Sequence, residues 1–131
     1  MSKIRVSLVS VKALEGQGIG EGNFELEVVV TEGKNRAVRF ETVDQGGQIK
    51  TLNETVATYE VGPNGLSKSF VIDVTERDKG TLGQDDTGQE TVTLALAPGM
   101  SPLFKTVAIS LKGPNQKPLG KVEVKLLAQV A

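Results

Sequence analysis

The residues best able to do chemistry in this chain are carboxylates gathered in one short stretch. Four of the five Asp, namely Asp73, Asp78, Asp85 and Asp86, fall between Val71 and Gly88, and Glu76 joins them. The segment runs Val74-Thr75-Glu76-Arg77-Asp78, then Lys79-Gly80-Thr81-Leu82-Gly83-Gln84, then Asp85-Asp86-Thr87-Gly88. Acids leave one apolar-alternating run, cross a Gly-rich loop and return before the next. Oxygen donors on one pliable loop suit a hard cation, since calcium takes six to eight oxygens at about 2.3–2.6 Å without demanding a rigid octahedron. The plainer alternative is a solvated acidic loop tip, because connections between strands are generally polar.

Other chemistries are excluded by residue type. The chain has no Cys and no His, which removes disulfides, thiolate nucleophiles, thiolate metal sites, Ser-His nucleophiles and the commonest general base. Aromatic residues make up only 4%, and no polar constellation suggests a catalytic pocket. Gly16-Gln17-Gly18-Ile19-Gly20 lacks the following helix that would cradle phosphate. With 15 Lys and Arg against 16 Asp and Glu, the broad basic field of a nucleic-acid binder is missing, so nucleic acid is not an expected partner. Ile4 to Leu14 is broken by Arg5, Ser7, Ser10 and Lys12 and does not read as a secretion signal. No window reaches the roughly 18 uninterrupted apolar residues of a spanning helix. The expected setting is the cytoplasm, with a peripheral membrane location as an extension of it.

The elements that must hold these acids repeat at a period of two. Phe24, Leu26, Val28 and Val30 alternate with Glu25, Glu27 and Val29, the pattern of a half-buried strand. The same reading gives strands over Ile4–Leu14, Arg36–Val43, Thr55–Val61, Ser67–Thr75, Glu90–Ala97, Phe104–Lys112 and Gly120–Gln129. The stretches between them hold most of the 15 Gly and all five Pro, and Pro63-Asn64-Gly65 and Gly113-Pro114-Asn115 are the clearest turns. Eight short strands cannot bury their oily faces singly, so a single all-β domain over residues 1–131, an antiparallel β-sandwich, is expected. In the first strand Ile4, Val6 and Leu8 share one phase while Val9, Val11 and Ala13 share the other, which predicts a bulge between Leu8 and Val9. Lys121, Glu123 and Lys125 on one face of the last strand read as edge protection.

Several pieces, in this order, resemble the C2 domain, a β-sandwich known for calcium-dependent membrane docking, and the resemblance covers nearly the whole chain. Ile4-Arg5-Val6-Ser7-Leu8-Val9-Ser10-Val11-Lys12-Ala13-Leu14 is similar to the family's long first strand. Leu52-Asn53-Glu54-Thr55 is similar to the Asn-Glu step before a middle strand, and Ser69 to Leu94 resembles the strand, acidic loop and strand of the third calcium loop. Lys117-Pro118-Leu119-Gly120-Lys121-Val122-Glu123-Val124 resembles the Gly-led final strand, which implies the permuted type II connection. The resemblance implies calcium ligands at Glu21, Glu76, Asp78, Asp85 and Asp86. Here the first loop, Glu15 to Asn23, has no Asp, Glu76 is one methylene longer than Asp, and the gap from Asp78 to Asp85 is one residue longer than usual. Fewer carboxylates weaken a divalent site, so the expected calcium affinity is low.

The resemblance also implies lipid contacts, from Ile19 and Leu82 at the loop tips and from the cations Lys34, Arg36 and Arg39 around the third strand, with Lys50 as a neighbour. Each such cation near an anionic surface is worth about 1 kcal/mol. Tyr59 is the only Tyr and there is no Trp, so the interfacial aromatics of strong docking are absent. The function expected is a noncatalytic binding module that docks by its loop end to an anionic membrane or a protein partner. The alternative from another class is a structural subunit that self-associates through its sandwich without calcium.

Overall fold

The computed structural model describes residues 2–15, 24–43, 48–76, 86–112 and 118–131. They form β1 (Ser2–Glu15), β2 (Phe24–Glu32), β3 (Asn35–Val43), β4 (Lys50–Val61), β5 (Leu66–Glu76), β6 (Asp86–Leu96), β7 (Leu103–Lys112) and β8 (Pro118–Val130). All eight expected strands are present, and every pairing is antiparallel. The hydrogen-bonded order is β3-β2-β5-β6-β7-β8-β1-β4. Long registers join every neighbouring pair except β6 and β7, which share the single pair Thr87 opposite Lys112. The sheet therefore folds at that point into two layers, β3-β2-β5-β6 and β7-β8-β1-β4. The β-sandwich read from the period-two pattern is the fold observed.

All eight strands send side chains into one core, with Phe70, Ile4, Leu8, Leu26, Ile72 and Leu126 among the most deeply buried. Each such side chain contributes about 1.5–3 kcal/mol relative to leaving it in water. The bulge predicted in β1 is present. Ile4, Val6 and Leu8 are buried, the register slips between Leu8 and Ser10 against both β4 and β8, and Val11 and Ala13 then face the core. One extra residue restores the inward phase, which a one-residue slip would otherwise reverse for the rest of the strand. On β4 the same irregularity sets Leu52 and Asn53 against Val9, and Asn53 adopts φ +51°, a left-handed conformation that Asn tolerates better than most residues. At the far end of β4, the Gly65 N–H donates to the Gly62 carbonyl at 2.9 Å with Gly65 at φ +74°. That is the turn read from Pro63-Asn64-Gly65.

Three expectations need correction. β4 starts at Lys50 rather than Thr55, because Leu52-Asn53 lies inside the strand as a bulge instead of before it. β6 starts at Asp86 rather than Glu90, since Glu76 pairs opposite Asp86 and the hairpin continues past the apolar residues. β8 lies between β7 and β1, so Lys121, Glu123 and Lys125 do not guard an edge.

The two flanks of the sandwich close by different means. At β6/β7 a Cβ on Gly88 would stand 2.3 Å from the Ser110 carbonyl oxygen and 2.6 Å from Ile109 Cγ2. Only glycine permits so close an approach. At β3/β4, side chains do the joining. Arg39 Nη1 donates to the Leu52 carbonyl at 3.1 Å while its Nε donates to Glu41 Oε1 at 3.1 Å. Nearer the β2–β3 turn, the Tyr59 hydroxyl donates to Glu32, which also accepts from Asn35 Nδ2 at 3.4 Å. The Tyr59 ring meets Phe70 edge-on, with centroids 6.4 Å apart.

Gly88→Ala is expected to lower unfolding free energy by about 1–3 kcal/mol, the usual penalty for overpacking, read as an earlier midpoint in chemical denaturation. An unchanged midpoint would mean that β6 and β7 are less tightly apposed. Burial, then the hydrogen bond and charge of Glu32, push the Tyr59 hydroxyl well above its usual value. Its stabilising contribution is therefore whole below about pH 10 and lost as pH climbs toward the raised folded value. Tyr59→Phe should cost about 1 kcal/mol at neutral pH. It should also flatten the alkaline decline in stability, measured as the difference from the parent chain between neutral and alkaline denaturation curves.

Candidate functional site

Antiparallel pairing brings one set of strand ends together. Glu15, Phe24, Val43, Lys50, Glu76, Asp86, Lys112 and Pro118 mark the end at which β1 leads to β2, β3 to β4, β5 to β6 and β7 to β8. The tight turns at Gly33-Lys34 and Pro63-Asn64, and the connection through Pro98-Gly99, lie at the other end.

Along β5 the inward residues run Phe70, Ile72, Val74 and then Glu76, so an apolar column ends in a carboxylate. On β6 Asp86 is likewise buried on the inward phase, beyond Gly88 and the exposed Glu90, and the two acids stand directly opposite each other in register. Glu76 is 8% and Asp86 4% exposed, and each engages neighbouring groups. Buried carboxylates need charge or hydrogen-bond compensation, and two acids opposite each other across a hairpin repel. Carboxylate oxygens are the donor type that hard cations take. Leu26 stands opposite Glu76 on the other side and closes the apolar floor.

Of the five expected metal ligands, Glu76 and Asp86 are thus brought together. Glu21, Asp78 and Asp85 lie outside the described residues, as do Ile19 and Leu82. Among the described residues no group of three or more metal-ligating side chains gathers. Asp73, in the same acidic stretch, faces outward and accepts a 2.7 Å hydrogen bond from Gln89 Nε2. Period two separates it from Glu76.

The expected lipid-contacting cations do not share a surface. Lys34 is exposed in the β2–β3 turn, at the end of the sandwich away from Glu76 and Asp86. Arg36 is exposed on the outer face of its layer, opposite Thr31. Arg39 points inward from β3, 31% exposed, and joins Glu41 and the Leu52 carbonyl. Lys50 Nζ lies 3.8 Å from Glu41 on its other side. The opposite strand phases of Arg36 and Arg39 are visible in the sequence. The engagement of Arg39 with the β4 bulge is not, because it links residues 13 positions apart. Among the described residues no helix is long and apolar enough to cross a membrane.

No family model matches the chain, and no curated protein sequence does. In structure it is similar to a C2 domain, the one designated A, of a plant extended synaptotagmin 1, with a TM-score of 0.50 and 16% identity over 99% of this chain and 95% of that one. β8 lies beside β1, as the type II resemblance implies. The fold is that of a C2-like antiparallel β-sandwich.

Proposed function

We propose that this chain is a noncatalytic C2-like binding module that docks through the loop end bearing Glu76 and Asp86, with calcium as a weak bridge to anionic lipid. The single observation that supports the reading is the buried, directly opposed carboxylate pair at the mouth of the β5–β6 hairpin. A cation bound there draws further oxygens from Asp78 and Asp85 of the same connection and from Glu21 of the β1–β2 connection. Without it the acids repel an anionic bilayer. With it the local sign reverses, and lipid phosphate oxygens complete the coordination. Ile19 and Leu82 then supply aliphatic tips that enter the interface, a contribution of a few kcal/mol at most by buried area (about 25 cal/mol per Å²). The absence of His and Cys argues for binding rather than catalysis.

Isothermal titration with calcium should show weak heat, with a dissociation constant on the order of 10⁻⁴–10⁻³ M. That heat should be lost in Glu76→Gln, Asp78→Ala and Asp85→Ala. Sedimentation with phosphatidylserine vesicles should require calcium and reverse on chelation. Heat that persists unchanged in all three variants, or vesicle binding indifferent to chelator, would refute the proposal.

A further inference from the structure

Each layer of the sandwich has two edge strands, β3 and β6 in one, β7 and β4 in the other. β4 carries two register irregularities, and Arg39 ties β3 to the Leu52 carbonyl within the second of them. β6 pairs with β7 at Thr87 opposite Lys112 and at no other described residue. From Leu103 to Leu111, therefore, β7 is paired with β8 along one side, and among the described residues its other side has no backbone partner. Leu103 to Thr106 are exposed on both faces of the strand. Leu103 and Lys105 lie on the inward phase with Val107, Ile109 and Leu111, yet their partners across β8, Ala128 and Leu126, are fully buried. The core stops at β8 here, and this half of β7 projects beyond it. Leu103 is 36% and Phe104 56% exposed. An open strand edge with apolar side chains is a template for another strand.

Charge decides what that strand is. β7 carries Lys105 and Lys112 and no acid. Neither lysine has an ion-pair or hydrogen-bond partner among the described residues. Lys125, opposite Thr106 on β8, adds a third cation, with its Nζ 5.8 Å from the Phe104 ring centroid. A lysine on the inward phase of an edge strand deters indiscriminate pairing, because a neutral or basic strand laid there leaves its charge without a partner. A second copy of β7 would set one lysine-bearing strand against another. A strand that brings a carboxylate opposite Lys105 turns the same residue into a point of selection.

We propose that the open edge of β7, from Leu103 to Val107, receives an extended acidic segment of a partner protein, added as a further strand of the β7-β8-β1-β4 layer. Main-chain hydrogen bonds to β7 supply the attachment, and side chains at alternate positions of the segment supply the choice. Acids on one face of the segment meet Lys105, and apolar groups on the other face pack beside Phe104. This edge lies at the end of the sandwich away from Glu76 and Asp86, so the contact needs no calcium and stands apart from docking by the loop end.

The probe is a fluorescein-labelled synthetic peptide of about eight residues, a strand's length, with valine alternating with glutamate. It is titrated in chelator and followed by fluorescence anisotropy, with the backbone amide resonances of ¹⁵N-labelled protein recorded alongside. Binding should saturate, with shifts centred on Leu103 to Val107 and with β3 and β4 unmoved. A peptide with lysine in place of glutamate, and the glutamate peptide N-methylated along its backbone, should each bind at least about tenfold more weakly. Lys105→Glu, at an exposed position and shown to be folded by circular dichroism, should lose the glutamate peptide and gain the lysine one. Absence of saturable binding would overturn the proposal, as would equal affinity for the N-methylated peptide, shifts centred on β4 or β6, or indifference to Lys105→Glu. Shifts at Leu103 to Val107 that grow with protein concentration in the absence of peptide would overturn it by assigning the edge to a second copy. Calcium-free capture by phosphatidylserine vesicles without any binding of peptide would overturn it by assigning these cations to lipid.

Discussion

The close approach of β6 to β7 at Gly88 is the constraint on which the rest of the molecule depends. Eight amphipathic strands in a continuous sheet expose one oily face unless the sheet folds onto itself. The fold here is concentrated where Thr87 pairs with Lys112 and Gly88 leaves no room for a side chain. Asp86 is two residues away on the same inward phase, so the feature that brings the layers together also brings a carboxylate to the mouth between them. Glu76 follows from the unbroken β5–β6 register. Among the described residues the opposite flank has no comparable backbone contact, and Arg39 with the Leu52 carbonyl and Tyr59 with Glu32 join it. One flank is fixed by what is absent from a residue, the other by polar reach.

Much of this was legible in the order of residues. The alternation in β2, β5 and β8 marks which side chains face the core, because a strand has only two faces. The phase break at Val9 announces a bulge, because burying Val11 and Ala13 with Ile4 demands an extra residue. Less legible was the extent of β6. Its first half, Asp86 to Glu90, lacks the apolar alternation that identifies a strand and is held by pairing with β5, a contact that local pattern does not encode. For the same reason the acids look like a single loop cluster in the sequence when Asp73, Glu76 and Asp86 belong to strands. Gly88 only closes the acidic stretch in the sequence, whereas its close contacts are with Ser110 and Ile109, more than 20 positions along the chain. The place of β8 between β7 and β1 likewise changes the meaning of Lys121 and Lys125, since a strand's neighbours are set by topology.

The C2-like fold separates its strand-end mouth from the outer faces of its two layers. The mouth at Glu76 and Asp86 is acidic and buried. Such separation is possible because side-chain direction in a sandwich is assigned residue by residue. Inward positions can end in carboxylates while outward positions of the same strand carry hydroxyls and apolar groups.

The most direct test of the account is to follow the backbone amide resonances of ¹⁵N-labelled protein as calcium is added. Shifts concentrated at Glu76, Asp86, Thr87 and Leu26, with Gly33 and Lys34 at the other end unmoved, are the predicted result. Resonances at the hairpin mouth that stay fixed throughout the titration, or shifts centred on the far turns, would contradict it.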